Sequence, residues 1–131
     1  MDADALAALA RRHGVRLVVR FGSTVTGSTH AGSDLDLGVV TGSASLSFSA
    51  LMDLTSDLQA LGHGREVDVA VLNHADPLFL KQVADHCERV FGSPDDFAAF
   101  KLRAFHHYQD YSRYLVLEQA FVDGRLGTAA S

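Results

Sequence analysis

The sequence predicts an α/β fold: a mixed β-sheet with helices packed on it and a long helix at the C-terminal end. Three observations carry this. Apolar, β-branched runs at 15–21, 35–40 and 65–72 read as strands. Helix start and stop signals bracket the stretches between them. Strands that alternate with helices build a layered α/β sandwich rather than an all-helical or all-β domain.

The elements follow in order. Asp2 to His13 is Ala/Leu-rich, carries basic residues near its end and meets Gly14, so it reads as a short helix. Val15 to Phe21 is a buried strand that runs into Gly22-Ser23. A second strand begins around Asp34-Leu35-Asp36; Leu35, Leu37 and Val39 point into a core, while Gly38 shares the Asp face and is expected to leave room beside a metal. Residues 41–49 are a Gly/Ser/Thr-rich loop, and Phe48 to Leu61 is a helix stopped by Gly62. In the strand from Arg65 to Leu72, Val67, Val69 and Val71 take one face, and Glu66, Asp68 and Ala70 the other. Asp76-Pro77 caps a helix reaching about His86, with Cys87 expected in that apolar-periodic helix as a buried structural thiol. Glu88 to Phe91 is a short closing strand, and Ser93-Pro94-Asp95-Asp96 opens a final helix to Asp123, with Gly124 beyond it. The 131 residues make one domain, with a core at about 15–91 and the last helix at about 94–123.

The chemistry is concentrated between residues 22 and 36. A turn of backbone N–H groups with a small hydroxyl suits phosphates. Two carboxylates, Asp34 and Asp36, fall on one face of a strand and suit Mg²⁺, which takes hard oxygen ligands and bridges to phosphates. Gly-Ser and Asp-x-Asp each occur in ordinary turns; their combination between two apolar strands points to nucleotidyl or phosphoryl transfer. A third carboxylate would complete the metal shell and activate an attacking hydroxyl. Asp68 is the candidate, because a carboxylate in the middle of a buried strand is costly unless paired or metal-bound. The catalytic and metal set is therefore Asp34, Asp36 and Asp68, and the nucleotide set is Gly22, Ser23 and Ser33.

These residues, Gly22-Ser23 through Asp34-x-Asp36 with the later Val67-Asp68-Val69, resemble the DNA polymerase β-type nucleotidyltransferase superfamily. At this length the chain is most similar to the minimal nucleotidyltransferases (MNT proteins), and among them to MntA-type antitoxins encoded beside HEPN toxins. The resemblance implies a polymerase β-like fold and ATP and Mg²⁺ as substrate and cofactor. It also implies transfer of AMP to a tyrosine of a HEPN ribonuclease toxin. Many relatives carry Ala-Arg-Gly after Gly-Ser-x, where this chain has Val25-Thr26-Gly27; Thr26 thus bears on ATP affinity. Two other activities fit the same resemblance: antitoxin action by occlusion alone, and adenylylation of a small molecule such as an aminoglycoside. Relatives with the latter activity usually carry an added substrate domain, for which this chain has no room.

A formal net charge of −5 argues against a protein that holds polyanionic nucleic acid, although Arg11, Arg12, Arg16 and Arg20 lie close together. One cysteine excludes an internal disulfide and fits a reducing cytoplasm. No signal pattern or long apolar run is present, so neither export by that route nor membrane insertion is expected. The final helix carries more aromatic residues than one buried stripe needs; Tyr108, Tyr111, Tyr114 and Phe121 are candidates for docking a partner. A homodimer and a hetero-oligomer with the toxin are both open. His106-x-Tyr108 matches part of the HEPN signature, but Arg103 is too close to complete it, and His30 reads as exposed.

Overall fold

The computed structural model describes residues 1–22, 34–42 and 46–130, with side chains to residue 124. Helix α1 (Ala3–His13) starts where the Asp2 carboxylate accepts the N–H groups of Asp4 and Ala5, and it ends at Gly14 in the left-handed conformation. Strands β1 (Val15–Phe21) and β2 (Leu35–Thr41) follow, then helix α2 (Phe48–Ala60), capped by the Ser47 hydroxyl. Strand β3 (Val67–Val71) leads to helix α3 (Pro77–Asp85), capped by Asp76 with proline in the first turn. Strand β4 (Cys87–Phe91) and helix α4 (Pro94–Ala130) complete the chain.

Among the described residues the four strands form one mixed sheet, ordered β3-β2-β1-β4. β1 is antiparallel to both β2 and β4, and β3 runs parallel to β2. Each face buries its own core. On one, α1 and α2 deliver Leu6, Leu9, Leu54 and Leu58 onto Val18, Leu35, Leu37, Val39 and Val67. On the other, α3 and α4 deliver Leu80, Val83, Phe100 and Ala104 onto Leu17, Val19 and Leu72. Period-two alternation along β2 thus divides its side chains between two dry layers.

Three expectations change. Cys87 opens β4 rather than sitting in a helix; it is half-buried, and burial pushes its thiol pKa up. Gly124 does not end the last helix, which continues to Ala130. At 37 residues, α4 is about 55 Å long. It packs through Phe100 and Ala104, while Tyr114, Val116, Leu117 and Phe121 are each more than half exposed. A lone glycine costs a helix only about 1 kcal/mol and need not stop it. Finally, Gly38 faces the α3/α4 core: a Cβ there would lie 2.6 Å from Leu72 Cδ1 and 3.2 Å from Val19 Cγ2. Its missing side chain makes room for Leu72, not for a metal. No helix of the described residues is long and apolar enough to cross a membrane.

Candidate active site

β1 ends at Phe21, and Gly22 turns the chain away with φ +79°. A Cβ on Gly22 would lie 2.2 Å from Asp36 Oδ2 and 3.1 Å from its Cγ. Turn and carboxylate therefore share a space that only glycine leaves open. Phe21 is the register partner of Asp36 across the antiparallel pair. Its ring meets Phe79 of α3 edge-on, with centroids 5.7 Å apart and planes at 83°. This aromatic pair ties α3 to the strand end beside the turn, a role the sequence did not reveal, since nothing in the spacing connects residues 21 and 79.

β3 contributes the other carboxylate. Asp36 and Asp68 are register partners across the parallel β2–β3 pair. The Leu35 N–H donates to Glu66 O and the Leu72 N–H to Val39 O, both at 2.8 Å, which fixes that register at its two ends. Gln59 of α2 clamps the entry to β3: its Nε2 donates to Arg65 O at 2.5 Å, and its Oε1 accepts the Val67 N–H at 2.9 Å. Neighbouring strands lie about 4.8 Å apart, so register partners on one face are close neighbours. The electrostatics agree. Asp36 is half-buried, and its carboxyl pKa is pushed above the usual range first by burial and then by the charges of Asp68 and Asp34.

Asp34 precedes β2 and is exposed. Asp68 is exposed as well, because β3 is an edge strand. Burial therefore does not distinguish Asp68; its position opposite Asp36 does. Glu66, also exposed, lies ahead of the strand and engages Leu35 through its backbone. Ser23, Thr26, His30 and Ser33 lie outside the described residues.

Among the described residues, no group of three or more His, Cys, Asp and Glu is placed to hold a metal ion. The donor chemistry nevertheless fits a hard divalent cation: the acidic groups here supply oxygen alone, and their mutual repulsion at Asp36 is the kind a cation relieves. The absence of a side chain at Gly22 leaves Asp36 Oδ2 its present position.

A family model described as Polymerase beta, Nucleotidyltransferase matches residues 5–96. No curated protein matches the chain. Similar solved structures share its fold. A chain of a toxin–antitoxin crystal structure with AMP-PNP superposes with a TM-score of 0.72 at 23% identity, covering 96% of this chain and 99% of that one. A chain from the complex of tri-AMPylated Shewanella oneidensis HEPN toxin with MNT antitoxin gives 0.66 at 21% identity, covering 95% of each. Spectinomycin adenyltransferase AAD(9) of an Enterococcus, with ATP and spectinomycin, gives 0.50 at 15% identity, covering 69% of this chain and 54% of that one. The family match takes in all four strands and all three aspartates, and the chain accordingly belongs to the polymerase beta nucleotidyltransferase family.

Proposed function

We propose that this protein is a cytoplasmic antitoxin that transfers AMP from ATP to a tyrosine of a HEPN toxin in a Mg²⁺-dependent reaction. The observation that carries the reading is the register of Asp36 against Asp68, beside a glycine turn that leaves room for the Asp36 carboxylate. Support for the partner and the transferred group comes from the similar folds, found in a toxin–antitoxin structure with AMP-PNP and a complex containing tri-AMPylated HEPN toxin.

Asp34, Asp36 and Asp68 would hold Mg²⁺. Bound there, the cation would neutralise charge on the triphosphate and the carboxylates. Gly22, together with Ser23 and Ser33, admits and holds the phosphates close to the backbone. The tyrosine oxygen attacks the α-phosphorus, the bond from that phosphorus to the β-bridging oxygen breaks, and pyrophosphate leaves. A tyrosine hydroxyl is mostly protonated at neutral pH, and Asp68 takes its proton as general base. The exposed face of α4, with Tyr114 and Phe121 at 58% and 64% exposure, docks the toxin. Tyr108 and Tyr111 are half-buried and contribute less, Tyr108 lying under the Lys81 ammonium.

That exposed face also favours a second reading, neutralisation by binding alone, since docking needs no chemistry. One experiment separates the two. Asp36→Asn, assayed with α-labelled ATP and the toxin, loses label transfer while the complex and the thermal midpoint survive. Loss of toxin neutralisation with transfer supports the enzyme; retained neutralisation without transfer supports occlusion. Undiminished transfer would sink the carboxylate assignment.

A further inference from the structure

On the opposite face of the sheet from Asp36, a groove of about 660 Å³ opens against the ends of β1, β2 and β4. That volume lies within the range of small-ligand sites, roughly 300–1,000 Å³. Its floor is apolar, made by Leu35, Leu37, Leu61 and Val90. Its polar lining includes Arg20, Arg65 and Arg89, three of the 11 Lys and Arg residues in a chain of net charge −5. Among the described residues Glu88 is the one carboxylate in the lining, and it pairs with Arg20. The pairing leaves the buried Arg20 Nε with no hydrogen-bond partner among the described residues. Arg65 enters no ion pair there, and Arg89 spends one N–H on the Gly92 carbonyl. A buried donor left without an acceptor is costly and is normally satisfied by water or a ligand. His63, also in the lining, is the one described non-glycine residue at positive φ, 52°.

We infer that this groove is a second ligand site, distinct from the carboxylate site, for a nucleoside mono- or diphosphate. Guanidinium groups match phosphate oxygens in geometry and charge. Leu61 and Val90, partly exposed above the buried Leu35 and Leu37, supply apolar surface for a base, which a free oxyanion does not need. Apolar side chains and guanidinium groups lining one groove together suit a ligand that carries both an apolar ring and a phosphate. Leu35 and Leu37 flank Asp36 on β2, so the occupant would lie one sheet thickness behind the carboxylates. The inference stands apart from the transfer reaction, and its test is run without divalent metal.

The full chain, isotope-labelled for amide NMR and kept in EDTA, is titrated with AMP and separately with inorganic phosphate. Saturable AMP shifts are expected at Arg20, Leu61 to Arg65, Arg89 and Val90. Arg65→Glu and Arg89→Ala, each checked for folding by the same spectra, should weaken AMP binding by about tenfold or more. Asp36→Asn should leave those shifts in place. The proposal is overturned by shifts confined to Gly22, Asp36 and Asp68, by inorganic phosphate binding as tightly as AMP, or by no saturation up to about 10 mM. Arginine variants that fold and bind AMP normally would overturn it too.

Discussion

Gly22→Ala separates the two things a glycine does at this turn. The new methyl would stand 2.2 Å from Asp36 Oδ2, against a closest ordinary approach of 3.0 Å, so the carboxylate must retreat by about 0.8 Å or rotate away. A displacement near 1 Å in a catalytic group costs about 100-fold in rate. The backbone adds its own penalty, because φ is +79° and an alanine in the left-handed region costs about 1–2 kcal/mol. Gly14 provides the control: its φ is +67°, and a Cβ there meets nothing within 4 Å. Gly14→Ala should therefore lose a similar 1–2 kcal/mol of stability and keep its transfer rate, whereas Gly22→Ala should lose both. Urea unfolding measures the first quantity, and single-turnover transfer of label from ATP at saturation measures the second. Equal rates in the two folded variants would refute the claim that Gly22 exists to accommodate Asp36.

Two other variants test the charge and thiol environments. The His13 imidazole bonds to Asp57 at 2.6 Å, and this bond, aided by Arg12, holds the Asp57 carboxyl below its usual pKa. A lowered carboxylate pKa contributes stability above the unfolded value of about 3.9 and loses it as pH falls through the folded value. Asp57→Asn should thus be less stable than the parent near pH 5, with the gap narrowing as pH falls below the unfolded value of about 3.9 in urea titrations. A constant gap across that range would show that the pair adds no pH dependence. The Cys87 thiol pKa is raised by burial, so at pH 8 the folded protein should alkylate more slowly than the urea-unfolded chain. Equal rates would place the thiol in water.

The sequence made the elements legible where short-range chemistry fixes them. Gly14 and the Asp76-Pro77 pair mark helix ends by local hydrogen bonding and backbone preference, and each does so in the fold; Asp2, read as the first helical residue, is instead the cap ahead of Ala3. Asp34 and Asp36 were visible because two carboxylates in an apolar stretch have few structural uses. Order across the sheet was not visible: β3 is an edge strand paired parallel to β2, and that long-range pairing is what sets Asp68 against Asp36. Asp68 was selected on a burial argument that its exposed position does not support. Cys87 was assigned to the wrong element because it follows the end of α3 at Asp85 closely, with no glycine or proline between them to mark the change from helix to strand. Gly124 was read as a stop, although α4 passes through it where a Cβ would meet nothing within 4 Å.

Gly38 brings the two readings of the Asp face into direct conflict. Read from the sequence, it clears space beside a metal; in the fold, Leu72 fills that space and is fully buried. Asp36 and Gly38 alternate on one strand face, so the boundary between the polar site and the α3/α4 core falls between them. Gly38→Ala would press its methyl to 2.6 Å from Leu72 Cδ1, with Val19 Cγ2 closing the other side at 3.2 Å. Overpacking of this kind costs about 1–3 kcal/mol. Leu72→Ala alone leaves a cavity and costs about 2–5 kcal/mol. Combined with Gly38→Ala it should cost less than the sum, because each change relieves the other. Transfer rate per folded molecule should stay near the parental value in Gly38→Ala, since the strain is taken up by Leu72 rather than by Asp36. A large rate loss with unchanged stability would instead put the glycine on the metal side of that boundary, and additive stability losses would show that residues 38 and 72 do not share the space.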